Sequence, residues 1–282
     1  MLQAPQRTGL SGPTLIRLLT RLTDAEVQQS RQSLSDHLSQ WLGWTDAIAL
    51  SAALNTAPPV IAPGARMFSS AEERECVRVR TTLADAIASD TAATAAKRVA
   101  PARAPAKKLA AVLAEDAFDY SSFRQRYLSL QHTMETSIGN LRSRLRGMVA
   151  ARNGEWTRLA VVDAIMDRAL LPKERALLGA IPKLLQAHFD RLRKAEEAAL
   201  AQAAEQALAE PGAPADATAE VPGDTQAPAV DAAQAGTSPP APAITAGAWL
   251  DTFRADMRAV LLAELDVRLQ PVEGLLAALR TS

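Results

Sequence analysis

The chain contains 282 residues with equal numbers of acidic and basic side chains, so its formal net charge at pH 7 is zero. A zero net charge gives no general attraction to nucleic acid or to anionic lipid. Hydrophobic residues make up 48% of the sequence but aromatic residues only 4%, and much of the hydrophobic fraction is alanine. Because alanine favours helix but buries little area, this composition predicts extended helical packing and argues against the dense core of a typical enzyme.

Composition also bears on cellular location. Cys76 is the single cysteine, which excludes an intramolecular disulfide and is consistent with a reducing compartment. Its thiol is either a reactive group or a bystander on a charged helix, and the sequence favours the bystander. The first residues lack the apolar core of a signal peptide, and no run of about 18 apolar residues predicts a membrane span. We therefore expect a cytoplasmic protein without direct membrane insertion.

Helix-start signals predict an N-terminal helical unit over residues 13–96, after a disordered segment over residues 1–12. Pro13 suits the first turn of a helix. Thr23 opens the pattern Thr-Asp-Ala-Glu, which matches a capping box because the threonine and glutamate side chains can each bond a free backbone N–H. A second helix is therefore predicted from Thr23 to about Leu42.

The stretch WLGWTDAIAL places Trp41 and Trp44, two of the four tryptophans, on either side of Gly43. Glycine tolerates the left-handed conformation that ends many helices, and Thr45 is a suitable cap for a new helix. One interpretation is a helix corner in which both rings are buried, with Trp44 covering Leu38. The other is a surface for a partner, because tryptophan is enriched in interface hot spots.

Residues 97–112 are predicted to form a basic linker, after a helix that begins near Ser69 or Ser70 and fades near Thr91. The strip KRVAPARAPAKK over residues 97–108 contains no acid, and its prolines favour a semi-extended chain. Such a strip is either a solvated linker or a contact for phosphate groups. Its basic residues are Lys97, Arg98, Arg103, Lys107 and Lys108.

A helical bundle is predicted over residues 113–205. Its first helix runs from about Ala114 to Arg152 and would be roughly 55 Å long at 1.5 Å per residue. Apolar residues recur along it at spacings of three or four, which is typical of one buried helix face, although the spacing does not distinguish a bundle from a coiled-coil hairpin. The stripe consists of Phe123, Tyr127, Leu130, Met134, Ile138, Leu141, Leu145 and Met148.

Prolines and an Asn-Gly pair divide the rest of the bundle. Asn153–Gly154 is expected to end the first helix, because this dipeptide favours a turn. The next helix is predicted to end at about Leu171, with Pro172 beginning another. Pro182 lacks a backbone N–H donor and is expected to kink or restart that helix.

Charged residues on the bundle have ordinary explanations. Arg142, Arg144 and Arg146 lie near the end of the first helix, where cations suit the helix dipole; they would also assist the basic strip in binding a polyanion. Asp163 and Asp167 are four residues apart on the next helix. We expect both to face solvent and to keep the protein soluble rather than to perform acid–base chemistry.

Residues 206–246 are rich in alanine and proline and contain acids but no base. Such a segment cannot bury enough apolar area to offset its ordering cost, which predicts a disordered acidic linker. Residues 247–282 follow as a strongly apolar amphipathic helix, whose face must be buried either on the bundle over residues 115–192 or on another chain. The side chains expected to make a partner contact are Trp249, Phe253, Met257, Leu261 and Leu265.

The sequence lacks the motifs of the common enzyme classes. It has no glycine-rich phosphate loop, no dinucleotide fingerprint and no serine elbow. His37, His132 and His188 fall on separate predicted helices, and none has a second ligand three or four residues away, as a helical metal site needs. We therefore expect no enzymatic activity, no catalytic or metal-binding residue and no cofactor.

Three blocks of the sequence resemble an uncharacterised family of Gram-negative bacterial proteins that is classed only as a domain of unknown function. The blocks are LIRLLTRLTDAEVQQSRQSLSDHLSQWLGWTDAIALSAALN over residues 15–55, RQRYLSLQHTMETSIGNLRSRLRGMVA over residues 124–150, and AVLLAELDVRLQPVEGLLAALR over residues 259–280. The resemblance implies no catalytic residue. It implies an accessory of a cell-envelope complex, because members are encoded beside inner-membrane proteins resembling proton-channel stators and beside peptidoglycan-binding proteins.

These observations predict an all-α protein, built as a long-helix bundle or as coiled-coil-like hairpins with a smaller helical N-terminal unit. The predicted function is that of a non-enzymatic helical interaction or scaffold protein. It would bind a protein partner or a second copy of itself through apolar helix faces, and the resemblance adds an inner-membrane complex as one such partner. The alternative hypothesis is nucleic-acid or polyanion binding through the basic strip.

Overall fold

The computed structural model describes residues 14–23, 32–55, 68–99, 119–152, 154–209 and 247–281. Within these residues the regular structure is entirely helical, which confirms the predicted all-α class. The helices are α1 (Thr14–Thr23), α2 (Leu34–Trp41), α3 (Trp44–Asn55), α4 (Ser70–Val99), α5 (Tyr120–Ala150), α6 (Gly154–Leu178), α7 (Ile181–Ala209) and α8 (Ala248–Arg280).

The C-terminal helix α8 lies at the centre of the bundle. It packs against α1, α4, α5 and α7, and 16 of its residues are buried, which is more than a single amphipathic stripe would bury. The helix therefore folds back on its own chain, one of the two arrangements expected from the sequence. Two helices of the predicted N-terminal unit, α1 and α4, therefore contribute to the same core around α8 as the helices of the predicted bundle.

The apolar stripe of α5 forms one wall of this core. The helix begins after Asp119, whose carboxylate accepts the backbone N–H of Ser121 at 3.1 Å. Seven of the eight predicted stripe residues are buried, and Phe123 is partly buried against the same core. The spacing of apolar residues thus predicted the buried face of α5 correctly.

The start of α8 is fixed by aromatic packing and by one backbone hydrogen bond. The Phe253 ring lies 5.2 Å from Phe123 of α5 and 5.0 Å from Phe189 of α7, and both pairs meet edge to face, which is a favourable geometry for aromatic rings. The N–H of Gly247 donates to Oε1 of Glu196 on α7 at 2.7 Å. Gly247 has φ of 86°, a conformation that glycine adopts at little cost.

The predicted helix that begins at Thr23 is wrong. The Thr23 hydroxyl donates to the carbonyl oxygen of Leu19 at 2.8 Å, so this residue closes α1 instead of opening a new helix. α2 begins after Ser33, whose hydroxyl accepts the N–H of Asp36 while the Asp36 carboxylate accepts the N–H of Ser33. A second capping box, Ser-Leu-Ser-Asp, therefore starts the helix about ten residues later, and residues 24–31 lie outside the described part.

The predicted break at Pro172 is also wrong, because α6 continues through this proline to Leu178. The chain turns at Gly179 instead, where a Cβ would lie only 2.8 Å from the carbonyl oxygen of Arg175 and glycine is the residue that fits. Pro182 stands in the first turn of α7, where a missing N–H costs no helical bond. It thus restarts the helix as expected, and the break predicted at Asn153–Gly154 is confirmed between α5 and α6.

The predicted disordered segments lie almost entirely outside the described residues. This holds for residues 1–12 and for residues 210–246. The first four positions of the predicted acidic linker, residues 206–209, are an exception, because they extend α7 to Ala209. Their alanine-rich sequence favours continuation of the helix.

Candidate interaction surface

The five side chains of α8 that were predicted to contact a partner are core residues in the structure. The bundle that they enter is the chain's own, so a contact with another chain would require α8 to leave it. Their exposed fractions range from 0% to 7% for Trp249, Phe253, Met257, Leu261 and Leu265.

A buried polar cluster fixes α8 against α5. The Glu264 side chain is fully buried in the middle of α8, and its carboxylate accepts hydrogen bonds from the Tyr127 hydroxyl at 2.7 Å and from Nε2 of Gln131 at 2.9 Å. A buried carboxylate needs such partners, because leaving water without them is very unfavourable. Burial, together with the nearby carboxylate, raises the pKa of Tyr127, so its hydroxyl stays protonated and remains a donor.

The same cluster extends to α6 through Arg268 of α8. Its Nε donates to Oε1 of Glu264 at 2.9 Å, and its Nη1 donates to Oε1 of Glu174 on α6 at 3.0 Å. Burial raises the pKa of Glu174 despite this arginine. Gln131 also donates to the carbonyl oxygen of Leu178 at 3.1 Å. Since its members bond one another across three helices, the cluster is best explained as a device that sets the register of α5, α6 and α8.

The tryptophan pair does not form the buried helix corner that was one of its two interpretations. The predicted break is present, since α2 ends at Trp41 and α3 begins at Trp44. However, Trp44 is 83% exposed and Trp41 is 36% exposed. Gly43 does not adopt the left-handed conformation; its N–H donates instead to the Asp46 carboxylate at 3.3 Å. The corner therefore turns without burying its two rings.

Helix α3 is apolar on more than the face that it packs against α6. It contains Ala, Ile, Leu and Trp around its circumference, yet none of its residues is buried. Trp44 and Ile48 are four residues apart and so share one face, and Ile48 is 53% exposed. A helix that is apolar all round is normally buried. We call Trp41, Trp44 and Ile48 the tryptophan surface; sequence reasoning found both tryptophans but missed Ile48.

An open apolar groove of about 390 Å³ runs between α5 and α6. Arg168 at its edge lies 3.7 Å from Asp46 of α3, which places α3 beside the groove. We call this groove the α5–α6 groove. Its small and aliphatic lining residues are Ser143, Gly147, Ala150, Ala160, Val161, Ala164 and Ile165.

Asp163 and Asp167 do not point freely into solvent, contrary to the sequence expectation. Asp163 bonds Nη2 of Arg142 at 2.6 Å and Nε of Arg146 at 2.6 Å, and Asp167 bonds the same two arginines at 2.6 and 2.7 Å. The four side chains form a half-buried network between α5 and α6. Arg144 also has an acidic neighbour, Glu75 of α4 at 3.5 Å. Arg142 and Arg146 are thus paired within the bundle, and the role of the three arginines in binding a polyanion stays a prediction.

The basic strip lies mostly beyond the described residues. α4 continues to Val99, past the predicted end near Thr91, so residues 97–99 are helical and not part of an extended linker. The alanine-rich sequence before the strip favours this extension. The side chains of Lys97 and Arg98, and all of Arg103, Lys107 and Lys108, lie outside the described part, so their phosphate-binding role stays a prediction.

Cys76 and His188 lie in surroundings that favour a structural role over a reactive one. Cys76 is buried, and burial raises the pKa of its thiol, which disfavours the reactive thiolate. His188 is buried between Asp256, whose Oδ2 lies 2.9 Å from Nε2, and Arg191, whose Nη2 lies 3.0 Å from Nδ1. Because arginine can only donate, Nδ1 accepts and Nε2 donates to Asp256. His188 is therefore a hydrogen-bonded core histidine.

Two further properties concern the described residues as a whole. No group of three or more His, Cys, Asp or Glu side chains among them is arranged to hold a metal ion. None of their helices is long and apolar enough to cross a bilayer.

The fold and the surface define an all-α bundle protein that presents an apolar helix beside an apolar groove. The chain belongs to the family described as "Protein of unknown function (DUF3348)", whose model matches residues 1–218 and 223–281. This match confirms the resemblance seen in the three sequence blocks to a family classed as a domain of unknown function. No curated protein and no solved structure is significantly similar to the chain.

Proposed function

We propose that the protein is a non-enzymatic helical interaction protein that binds another protein chain through the tryptophan surface. The observation that carries the proposal is the 83% exposure of Trp44 on a mostly apolar helix that buries none of its residues. Exposed tryptophan is unfavourable in water and is a frequent anchor of protein interfaces. A partner that covers Trp44 and Ile48 would remove this cost.

The organisation of the bundle supports such a role. α8 and the buried cluster around Glu264 give the chain a packed core of its own, whereas α2 and α3 contribute no residue to that core and make their main helix contacts with α6. A packed bundle that holds α3 at its surface positions this helix for binding, because less flexibility has to be lost when a partner docks.

The proposal includes a place in the cell. We propose that the protein acts in the cytoplasm as an accessory of a cell-envelope complex, as the resemblance of its sequence blocks implies. In that case the partner is a protein associated with the inner membrane, and the contact is made by the tryptophan surface rather than by insertion into lipid.

The test is copurification from the native cell, with the membrane fraction solubilised and included. The full chain would be compared with the double variant Trp44→Ser/Ile48→Ser. Val77→Ser serves as the matched control, because Val77 is 65% exposed and belongs to a different helix, α4. We expect the same partner to be recovered with the wild type and with the control, and to be lost with the double variant.

A partner recovered equally with all three chains would contradict the proposal, as would a failure to recover any partner or second copy of the chain. Direct binding of the purified partner should then reproduce the difference between the two variants. Truncation of a central tryptophan typically weakens an interface by 2 kcal/mol or more, which is roughly 30-fold in Kd.

A further inference from the structure

We infer that the docking of α1 on α7 and α8 is controlled by the protonation of His188: α1 is docked while the imidazole is neutral and is released when the imidazole takes up a proton. The inference does not depend on the proposed function, because it concerns another helix and other contacts than the tryptophan surface. It rests on a set of polar contacts that join α1 to the core through one histidine. We call this set the His188 network; its members are Arg21, Leu22, His188, Arg191 and Asp256.

One arm of the network ends on a backbone carbonyl of α1. Nη2 of Arg191 on α7 donates both to Nδ1 of His188 at 3.0 Å and to the carbonyl oxygen of Leu22. That carbonyl belongs to the last turn of α1, where no further N–H of the same helix can reach it. Arg191 therefore caps α1 in an orientation that also places its guanidinium against Nδ1.

The other arm ends on a side chain of α1. Nε2 of His188 donates to Oδ2 of Asp256 on α8 at 2.9 Å, and Oδ1 of the same carboxylate lies 3.4 Å from Nη2 of Arg21. His188 is only 5% exposed, so its ring nitrogens depend on protein partners rather than on solvent. The two arms thus reach neighbouring residues of α1 from one imidazole.

The remaining surroundings of His188 are aromatic. The Phe253 ring of α8 lies 6.1 Å from the imidazole, and the Tyr120 ring of α5 lies 6.2 Å from Phe253. Burial raises the pKa of Tyr120 to about 12, so Tyr120 is neutral near pH 7. The charges that contact His188, directly or through one neighbour, are Arg191 of α7, Asp256 of α8 and Arg21 of α1. Further charges nearby are of both signs: Arg254 paired with Asp251 on α8, and Arg124 of α5 and Asp190 of α7, which act on Tyr120.

A proton on Nδ1 turns an attractive contact into a repulsive one. Neutral His188 accepts at Nδ1, whereas a protonated imidazole is a donor at both nitrogens, and arginine is a donor that stays charged. Two cations would then face each other with no acceptor between them. Arg191 has to turn away, and the carbonyl of Leu22 loses its donor. The charged imidazole also competes with Arg21 for the Asp256 carboxylate.

The sign of the effect follows from reciprocity. Docked α1 holds Arg191 against Nδ1 and so disfavours the proton, which means that the proton disfavours docking by the same factor. Asp256 attracts the charged ring whether α1 is docked or released, so it influences the pH of the change and not its direction. Histidine is the side chain whose charge ordinarily changes between pH 5 and 8.

α1 is sensitive to the loss of these contacts because its apolar contacts are few. Two of its ten residues, Leu15 and Leu22, are buried, and Leu18 and Leu19 are packed partly against the core. A helix of this length is marginal in water without tertiary contacts. Release should therefore unfold α1 and uncover the surface of α7 and α8 beneath it, while α8 keeps its contacts with α4 and α5.

The test is hydrogen exchange of the full chain, measured by mass spectrometry between about pH 8 and pH 5. Each rate is divided by the intrinsic rate of an unfolded peptide at the same pH, which gives a protection factor. We expect the protection of residues 14–23 to fall roughly tenfold in acid, the equivalent of one hydrogen bond to a charged group. The protection of residues 120–150 in α5 should not follow this fall.

His188→Gln is the decisive variant, because an amide offers one acceptor and a pair of donors but takes up no proton in this range. We expect α1 to keep its protection in acid. His132→Gln is the matched control, since His132 is an exposed histidine of α5, and it should retain the fall seen in the wild type. Arg191→Gln replaces the guanidinium at an exposed position, so it decides the question if His188→Gln does not fold. It should leave α1 less protected at neutral pH and without a further fall in acid.

Three outcomes would overturn the inference. They are a wild type in which the protection of α1 does not fall in acid, a fall that the folded His188→Gln or Arg191→Gln variant retains in full, and a fall that His132→Gln abolishes. Circular dichroism at each pH establishes that the chains compared are folded.

Discussion

The hydroxyl of Tyr127 donates a 2.7 Å hydrogen bond to Oε2 of Glu264, across 137 positions of sequence. Both side chains have 0% exposure. A charge-assisted bond in such a setting is stronger than a neutral one. This pair therefore connects the two longest helices of the core by a bond that is sensitive to the loss of a single oxygen.

The first prediction compares two buried tyrosines on α5. Tyr127→Phe should lower the free energy of unfolding by about 2 kcal/mol, because it removes a hydrogen bond to a charged group. Tyr120→Phe should lower it by about 1 kcal/mol, because the Tyr120 hydroxyl donates to the neutral carbonyl oxygen of Pro182. Urea unfolding followed by circular dichroism measures both. If both variants lost the same free energy of unfolding, or if Tyr120→Phe lost more, the hydrogen bond to Glu264 would contribute no more stability than a neutral one.

The second prediction uses two glutamates whose pKa values move in opposite directions. Burial raises the pKa of Glu174 above its ordinary value of 4.5, so the folded state binds more protons than the unfolded state above pH 4.5, and stability falls as pH rises through that window. The change Glu174→Gln should remove this decline. Relative to the wild type, the variant should gain stability between pH 4.5 and neutrality.

Glu135 provides the comparison of opposite sign. A hydrogen bond from Arg175 lowers its pKa below 4.5, so its contribution is present above pH 4.5 and is lost as pH falls through the lowered value. Glu135→Gln should therefore be less stable than the wild type near neutral pH, and the difference should vanish in acid. Urea unfolding at a series of pH values measures both differences in stability. If both variants were more stable than the wild type near neutral pH, or both less stable, the opposite directions assigned to the two pKa shifts would be wrong.

The third prediction concerns the network of Arg142, Arg146, Asp163 and Asp167. Asp163→Asn should lower the free energy of unfolding by roughly 2 kcal/mol, because it leaves two half-buried arginines with one fewer negative charge. The control is Glu73→Gln, which breaks a 2.6 Å pair with Arg280 whose side chains are 38% and 57% exposed. An exposed pair contributes less than about 1 kcal/mol. If the two variants lose the same free energy of unfolding, the four-residue network contributes no more than an exposed ion pair.

The fourth prediction separates the binding role of one tryptophan from the folding role of another. Trp44→Ser should change the free energy of unfolding of the monomer by no more than about 0.5 kcal/mol, as is usual for surface positions. Trp249→Ser should cost about 3–5 kcal/mol, because Trp249 is only 7% exposed and its removal leaves a cavity. Denaturation at low protein concentration measures both. A large loss for Trp44→Ser would mean that this ring supports the fold.

The sequence predicted well those features that are set by local periodicity. Seven buried residues of α5 follow from their spacing alone, because residues three and four apart share a helix face. The break before Gly154 and the restart at Pro182 follow from local turn chemistry. These signals need no knowledge of the rest of the chain.

Features set by the distant chain were harder to predict. Whether Trp44 is buried depends on a neighbouring surface that its own sequence does not specify, so both interpretations were open. α6 continues through Pro172 because contacts of the helix with the rest of the bundle outweigh the one backbone hydrogen bond that proline cannot donate. One feature of the sequence could have predicted that Glu264 has a buried partner. Glu264 and Arg268 are four residues apart inside an otherwise apolar stripe, and charged residues at such buried positions need hydrogen-bonding partners.

The central position of α8 has a consequence for how the protein is made. Helices α1 to α7 leave the ribosome before residues 248–280 do, and until then the apolar faces of α1, α4, α5 and α7 lack the helix that covers them. The core therefore closes after translation of α8, through contacts between distant parts of the chain, which form slowly. A nascent chain in this state exposes apolar surface until α8 is synthesised, so we expect chaperones that bind nascent chains to engage it during that interval.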